Sequence, residues 1–210
     1  YVLMAPDFAD GGKAYAATSG AESAFSYTTD GGITWNQLSL IDTRISDIID
    51  LALSPNYSQD STRFMLTYRT GGKHSLWHSL DGGTRWERVY SGALAGVDQI
   101  DLVKLSPQYG NGSQVVFIAG SSNGKPAIWK STDNGHSFRR RIAPFLVKTW
   151  AVVNNNTLFI GCFDDINNQG LVYHTTNSGL TYSTGAVAGT QSLYSLALSP
   201  DYEQDETILV

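Results

Sequence analysis

An eight-residue motif occurs four times in this chain, and its repetition constrains the fold more than any other sequence feature. The common pattern is Ser/Thr-x-Asp-x-Gly-x-Thr-aromatic, and the copies occupy residues 28–35, 79–86, 131–138 and 175–182. Their third residues are Asp30, Asp81, Asp133 and Asn177, which follow one another at intervals of 51, 52 and 44 positions. A fixed period of about 50 residues predicts one supersecondary unit repeated along the chain.

A second motif recurs about half a period away from the first. It has a small residue, Pro, any residue and an aromatic, and its prolines are Pro6, Pro55, Pro107 and Pro200. Pro fixes φ and donates no hydrogen bond, so each copy predicts a turn. One copy is missing, and a shorter turn near residues 152–156 is expected in its place, which accounts for the 44-residue interval.

Between these motifs the residues read as short strands, because apolar positions alternate with period two and no helical period is present. Ile49, Leu51 and Leu53 are predicted to share one face of such a strand. Four strands in each repeat predict an all-β fold, a β-propeller of four-stranded antiparallel blades with about four and a half blades in this segment. The predicted repeats are residues 1–47, 48–99, 100–147, 148–192 and a partial 193–210.

The eight-residue motif has a mechanical explanation as a hairpin turn. Its Asp is expected to accept hydrogen bonds from backbone N–H groups two or three residues on, and its Gly to supply a positive φ. The closing aromatic is expected to pack between sheets, and Asn177 should keep the turn shape without the charge. The structural residues predicted for the four copies are Asp30, Gly32, Trp35, Asp81, Gly83, Trp86, Asp133, Gly135, Phe138, Asn177, Gly179 and Tyr182.

These four motifs resemble the BNR or Asp-box repeat. That repeat is shared by sialidases, sortilin-type receptors, xyloglucan-degrading hydrolases and photosystem assembly factors. Together with the Ser-Pro-x-Tyr turn, the pattern resembles BNR-repeat proteins of bacterial cell surfaces. The resemblance implies that each box lies on the hairpin between the third and fourth strands of a blade, away from the central channel. The chain begins and ends within predicted strands, so a longer propeller is expected, with self-association of copies as the alternative.

Catalytic residues are not predicted from any motif. The Phe138-Arg139-Arg140-Arg141 run follows a box, so it does not match the Phe-Arg-Ile-Pro motif that a sialidase resemblance implies, and a solvated edge strand is favoured for it. Asp50 and Asp101 precede or begin inner strands and are candidates to face the channel, where glycoside hydrolysis would need two carboxylates about 5–10 Å apart. Trp150 has no counterpart in the other repeats and is the best candidate for an exposed stacking platform, with core packing as the favoured alternative.

Neither a metal site nor a cofactor is predicted with a full ligand set. Asp165 and Asn167 resemble the start of a calcium loop, but the twelfth position is Thr176 and not Glu, so a hairpin turn is favoured. The four histidines are scattered along the sequence, and His78 and His174 fall in separate repeats, too far apart to share a metal. Cys162 is the only cysteine, which excludes an internal disulfide.

The net charge of −5 gives no basic field for a phosphate backbone, so nucleic acid is an unexpected partner. No apolar run approaches the roughly 20 residues of a membrane span. We therefore expect a non-catalytic extracellular or cell-surface propeller of bacterial type that serves as a structural or binding module. A protein or a glycan is the expected partner, besides the remainder of the propeller or another copy of the chain. A glycoside hydrolase or glycan-binding protein with its site partly outside this segment is the alternative.

Overall fold

The chain is an all-β protein built of consecutive antiparallel sheets. The computed structural model describes residues 1–19, 24–40, 45–71, 73–91 and 97–210. Sheet 1 contains β1 (Val2–Met4), β2 (Ala14–Ala17), β3 (Ala24–Thr28) and β4 (Asn36–Leu40). Sheet 2 contains β5 (Asp47–Leu53), β6 (Arg63–Arg69), β7 (Lys73–Ser79) and β8 (Glu87–Ser91). Sheet 3 contains β9 (Gln99–Leu105), β10 (Val116–Ser122), β11 (Lys125–Ser131) and β12 (Arg139–Ile142). Sheet 4 contains β13 (Val147–Val152), β14 (Leu158–Asp164), β15 (Gln169–Thr175) and β16 (Ala186–Gly189). A two-stranded sheet of β17 (Ala197–Leu198) and β18 (Ile208–Leu209) follows.

Each four-stranded sheet keeps its strands in chain order, and apolar cores fill the spaces between consecutive sheets. Met65 packs with Tyr15 of sheet 1, whereas its neighbour Phe64 packs with Val103 of sheet 3. Alternate residues of one strand therefore serve two different cores, as the period-two pattern requires. Stacked, chain-ordered sheets of this kind make the propeller fold, which confirms the predicted fold class.

The first strands of the sheets lie together, since β5 contacts β9, β9 contacts β13 and β13 contacts β17. A β-bulge interrupts three of these inner strands, at Ile49, Asp101 and Lys148. The sequence analysis placed Ile49, Leu51 and Leu53 on one face of β5, and this was wrong. The extra residue of the bulge shifts the alternation of side chains between the two faces. Ile48 and Leu51 are the buried residues of that strand, and Ile49 is only partly buried.

Three Pro motifs continue into single-turn helices, a feature that the period-two pattern did not predict. The helices are α1 (Phe8–Gly11), α2 (Tyr57–Asp60) and α3 (Tyr202–Asp205). Asp60 closes the second one, because its carboxylate accepts the Ser54 hydroxyl at 2.6 Å and the Thr62 N–H at 2.9 Å. No helix in the described ranges is long and apolar enough to cross a membrane.

The four eight-residue motifs form the hairpins between the third and fourth strands, and we call them turns 1 to 4. Asp133 Oδ1 accepts the backbone N–H of Ser137 at 2.9 Å, and Gly135 N–H donates to Ser131 Oγ at 2.8 Å. The Asp133 bond spans four residues, one more than the longest predicted offset, whereas Asp30 and Asp81 also interact with the N–H three residues on, at Ile33 and Thr84. The longer span arises because two successive residues, Asn134 and Gly135, have positive φ and extend the loop. Turn 4 has the same pair of bonds at Asn177 and Gly179.

In turns 2, 3 and 4 the glycine at the fifth motif position, Gly83, Gly135 or Gly179, packs against the preceding sheet. Gly83 lies so close to Phe25 of sheet 1 that an added Cβ would be 3.0 Å from the ring. For Gly135 the nearest atom is in Val89 of sheet 2 at 3.1 Å, and for Gly179 it is in Ile128 of sheet 3 at 2.6 Å. These glycines are required by a positive φ and also by close approach, so each turn is docked on its neighbouring sheet.

A buried arginine joins sheets 1 and 2, although the corresponding ladder positions in sheets 3 and 4 are apolar. Arg63 is 1% exposed, and its guanidinium lies 4.0 Å from the ring centroid of Tyr15 and 4.7 Å from that of Phe25. It also donates to the Tyr57 hydroxyl. Burial lowers the pKa of this guanidinium, and cation–π contacts offset part of the cost of removing the charge from water.

Turns 3 and 4 are expected to differ in how their contribution to the unfolding free energy depends on pH. Hydrogen bonds from the hydroxyl groups of Ser137 and Ser131 lower the pKa of Asp133 to about 2. Its contribution to folding is therefore complete above the unfolded pKa near 4 and is lost as the pH falls toward about 2. In turn 4, Asn177 Nδ2 instead donates to the Thr181 hydroxyl at 2.8 Å, so a neutral amide takes the place of the carboxylate in holding the turn.

We expect Asp133→Asn to keep the fold and to flatten the decrease of unfolding free energy between pH 4 and pH 2, and Asn177→Asp to steepen it. Urea unfolding at several pH values measures both effects. Identical pH profiles for the wild type and the two variants would contradict this account of the turns.

Candidate functional site

A groove lies where turn 4 docks on sheet 3. Groove 3/4, between sheet 3 and turn 4, is a cavity of about 380 Å³. Its wall from sheet 3 includes Lys130 of β11 and Arg139, which is the cross-strand partner of Lys130 in β12. Leu180 is part of its wall from turn 4. The complete lining is Lys130, Thr132, Ser137, Arg139, Arg141, Asn156, Asn177, Ser178 and Leu180.

Lys130 is held in groove 3/4 by polar groups of sheet 4. Its Nζ donates to Asn156 Oδ1 at 2.8 Å and to Ser178 Oγ at 3.1 Å. Partial burial lowers the pKa of Lys130, and the charge of Arg141 lowers it further. The ammonium group is therefore fixed in position, and it lies close enough to a second cation to be affected by its field.

None of the described residues that line groove 3/4 has a carboxylate to balance its positive charge. The ion pairs in the described ranges are His78 with Glu87 and Arg85 with Asp81, so none involves the groove cations. Arg141 Nε is buried without a hydrogen-bond partner in that part of the chain. A concave site with converging, unpaired cations is suited to bind an anion. The sequence analysis interpreted the arginine run as a solvated edge strand and did not predict a cationic groove. The other wall of the groove comes from the next repeat, which the run itself does not indicate.

Asp50 has a structural environment on inner strand β5. Its Oδ2 accepts the N–H of Val103 in β9 at 2.8 Å, and its Oδ1 accepts the N–H of Leu51 at 2.9 Å. Burial raises the pKa of Asp50 to about 6, although these hydrogen bonds and Lys104 act to lower it. The folded state therefore binds this proton more tightly than the unfolded chain, and the stabilising contribution decreases as the pH rises from about 4 to about 6.

Asp101 lies at the bulge of β9 in a different environment. Burial raises its pKa, which the Gln99 amide donor and the charges of His74 and Lys148 lower in part. The charged groups that act on Asp50 and on Asp101 do not include the other carboxylate. The hydrogen-bond partners of the two carboxylates also differ, which gives Asp50 and Asp101 separate environments. Whether either side chain faces a central channel stays a prediction.

Trp150 is not an exposed platform. Its side chain is 2% exposed and packs edge-on against Phe117 of sheet 3, with ring centroids 6.4 Å apart. The position falls on the face of β13 that meets sheet 3, so the large ring fills the core between sheets 3 and 4. Trp150 therefore packs in the core, which was the alternative favoured in the sequence analysis.

Asp165 and Asn167 lie in the hairpin between β14 and β15. Asp164, which the sequence reasoning did not select, closes this turn by accepting the N–H of Ile166 at 3.0 Å. Asn167 Nδ2 donates to Asp164 Oδ2 at 2.7 Å, so this amide is engaged within the turn. Calcium binding at Asp165 and Asn167 stays a prediction.

The aromatic residues that close turns 2, 3 and 4 contact the preceding sheets. The Trp86 ring lies 5.3 Å from that of Phe25, and the Phe138 ring lies 5.1 Å from that of Tyr90. Tyr182 packs with the core shared by sheets 3 and 4. Trp35 of turn 1, which has no preceding sheet in this chain, is 40% exposed.

Comparisons with known proteins support the fold and give no family. No protein-family model and no curated protein matches the sequence. Similar solved structures include YCF48 bound to D1 peptide, at 14% identity and a TM-score of 0.60, covering 96% of this chain and 57% of that one. TolB from Acinetobacter baumannii matches at 11% identity and a TM-score of 0.63, covering 91% and 43%. The GH74 xyloglucanase from Xanthomonas campestris matches at 15% identity and a TM-score of 0.52, covering 95% and 42%. The chain thus spans 57% or less of these β-propeller chains, and the likeness is one of fold.

The different environments of Asp50 and Asp101 predict different costs of truncation. Asp50→Ala leaves two backbone N–H groups without their acceptor and should lower the unfolding free energy by about 1–3 kcal/mol. Asp101→Ala removes a contact with Gln99 of its own exposed strand end and should cost less than about 1 kcal/mol. Chemical denaturation at pH 7 measures both values. An equal cost for the two variants would contradict the cross-sheet role given to Asp50.

Proposed function

We propose that this chain is part of a non-catalytic binding propeller that holds an acidic segment of a protein partner in groove 3/4. The observation that carries the proposal is the convergence of Lys130, Arg139 and Arg141 in one concave site without a carboxylate. The site is positive although the whole chain has a net charge of −5. Charge patterning of this kind favours the approach and orientation of an anionic partner.

The lining of groove 3/4 favours a peptide over a neutral sugar. Asn156, Asn177 and Ser178 supply amide and hydroxyl groups that can bond a peptide backbone, and none of the described residues that line the cavity is aromatic. Arg139 can form paired hydrogen bonds with a carboxylate, while Arg141, whose Nη1 donates to the Arg140 carbonyl oxygen, adds positive charge. The similar structure of YCF48 was solved with a D1 peptide, which supports peptide binding as a capacity of this fold.

A glycoside hydrolase is the second candidate, since the GH74 xyloglucanase is among the similar structures. Against it stand the two backbone N–H groups that occupy the Asp50 carboxylate and the separate environment of Asp101. We therefore favour binding over hydrolysis. The proposal also keeps an extracellular or bacterial cell-surface location and leaves the remainder of the propeller, or another copy of the chain, as an additional partner.

The experiment is a charge reversal in groove 3/4 with a matched control on the neighbouring strand. Binding of a labelled hexaglutamate peptide to the full-length protein is measured by fluorescence anisotropy at low salt. We expect Arg139→Glu to weaken binding at least about tenfold, because a favourable contact becomes a repulsive one. Lys125→Glu makes the same change of charge about 16 Å away along β11 and should weaken binding less than about twofold.

Heparin and a neutral xyloglucan oligosaccharide serve as competing probes in the same assay. Stronger binding of heparin that Arg139→Glu abolishes would assign the groove to an anionic glycan and contradict a peptide ligand. Equal effects of Arg139→Glu and Lys125→Glu would show a general charge effect and contradict the groove. Xyloglucan cleavage that Asp50→Asn abolishes would overturn the non-catalytic assignment.

A further inference from the structure

Two histidines and a glutamate from two successive repeats meet where turn 3 docks on sheet 2, a place we call groove 2/3. His78 Nε2 lies 3.0 Å from Glu87 Oε2. His136 belongs to turn 3, and its ring centroid is 5.5 Å from that of His78 at an interplanar angle of 90°. One ligand atom from each residue lies within 4.8 Å of the other two. His78 and His136 are therefore neighbours, although the sequence analysis described the histidines as scattered. These three residues do not line groove 3/4.

The repeat architecture explains how these residues come together. His78 and Glu87 are cross-strand partners of β7 and β8, so their side chains share one face of sheet 2. Turn 3 docks on that sheet through Gly135, the residue directly before His136. Lys130, Arg139 and Leu180 hold the corresponding positions in groove 3/4. The same scaffold position therefore has a different chemical character in each groove.

The geometry is close to that of a three-ligand metal site. Ligand atoms about 2.0–2.1 Å from a tetrahedral Zn²⁺ are separated by roughly 3.3 Å. The separation between His78 and Glu87 nearly meets this value, and the limit of 4.8 Å requires His136 to move by only about 1.5 Å. His136 is exposed and the Glu87 side chain is 64% exposed, so both can adjust around the buried, fixed ring of His78.

The buried ring of His78 is not restricted to a tautomer that would prevent coordination. Its Nδ1 has no hydrogen-bond partner among the described residues, so no donor opposes a proton on that atom. Nε2 can then offer its lone pair to a metal in place of the hydrogen bond to Glu87. Contact with Phe64, at 5.7 Å between ring centroids, holds the ring in its orientation.

We propose that His78, Glu87 and His136 bind one zinc-class divalent ion that links sheet 2 to turn 3. Two imidazoles and one carboxylate favour Zn²⁺ and similar transition metals over Ca²⁺ and Mg²⁺, which prefer oxygen ligands. The fourth position faces solvent through exposed His136 and Glu87 and would hold water or a side chain of a partner. The ion would join two repeats, and its binding would stabilise the folded state by mass action.

The test measures Zn²⁺ binding to the full-length protein without a histidine tag. Isothermal titration should give one Zn²⁺ for each chain, with a higher melting temperature in its presence. His136→Ala changes an exposed side chain and should lower the Zn²⁺ affinity at least about tenfold and remove the thermal shift. The control is His174→Ala, which removes one of the other histidines, stacked on Phe159 in sheet 4, and should leave both readouts unchanged.

Glu87→Gln provides a second variant, because it keeps the size of the side chain and removes the charged ligand. It should weaken Zn²⁺ binding while the unfolding free energy without metal stays close to that of the wild type. Co²⁺ in place of Zn²⁺ should give the visible absorption of a four-coordinate site in the wild type alone. No stoichiometric Zn²⁺ binding by the wild type, or equal binding by His136→Ala, would overturn the proposal.

Discussion

The contact between a turn glycine and the preceding sheet is the constraint on which this structure depends. At Gly83, Gly135 and Gly179 the backbone has a positive φ and approaches the neighbouring side chains too closely for a Cβ to fit without movement. The internal hydrogen bonds of each turn hold that glycine in place, since its N–H donates to the first Ser or Thr of the motif. Successive sheets are thereby fixed at a spacing that lets large side chains such as Trp150 and Phe117 fill the cores between them.

The same docking gives the grooves their position and leaves their chemistry free to vary. The side chains of His136 and Leu180, which follow the glycine in turns 3 and 4, take no part in the hydrogen bonds that the third residue and the first Ser or Thr of the motif accept, so they can differ from one turn to the next. Groove 3/4 has Lys130 and Arg139 opposite Leu180, whereas groove 2/3 has His78 and Glu87 opposite His136. A repeat fold can thus present an anion site and a metal site at equivalent places, since function depends on the site and not on the scaffold.

The sequence was sufficient for the fold because two motifs in phase and period-two strands report local structure, which each repeat encodes by itself. It was insufficient for the grooves, because they join residues of different repeats. His78 and His136 lie 58 positions apart, and only the docking of turn 3 brings them together. The bulges at Ile49, Asp101 and Lys148 were missed for a related reason, since pairing with the neighbouring strand creates them and no turn residue marks them. Equivalent positions of adjacent repeats, compared along the docked edge, carry the signal that could have identified both grooves.

The most direct measurement of the central claim is the unfolding free energy of Gly179→Ala beside that of Gly189→Ala. A Cβ at residue 179 would lie 2.6 Å from Ile128 of sheet 3 and 2.6 Å from the Tyr182 hydroxyl of its own turn, with φ at +84°, while a Cβ at residue 189 meets nothing within 4 Å. The account predicts a loss of at least about 2 kcal/mol for Gly179→Ala and a change below about 0.5 kcal/mol for Gly189→Ala. An unchanged stability of Gly179→Ala would contradict the view that turn docking holds the sheets together.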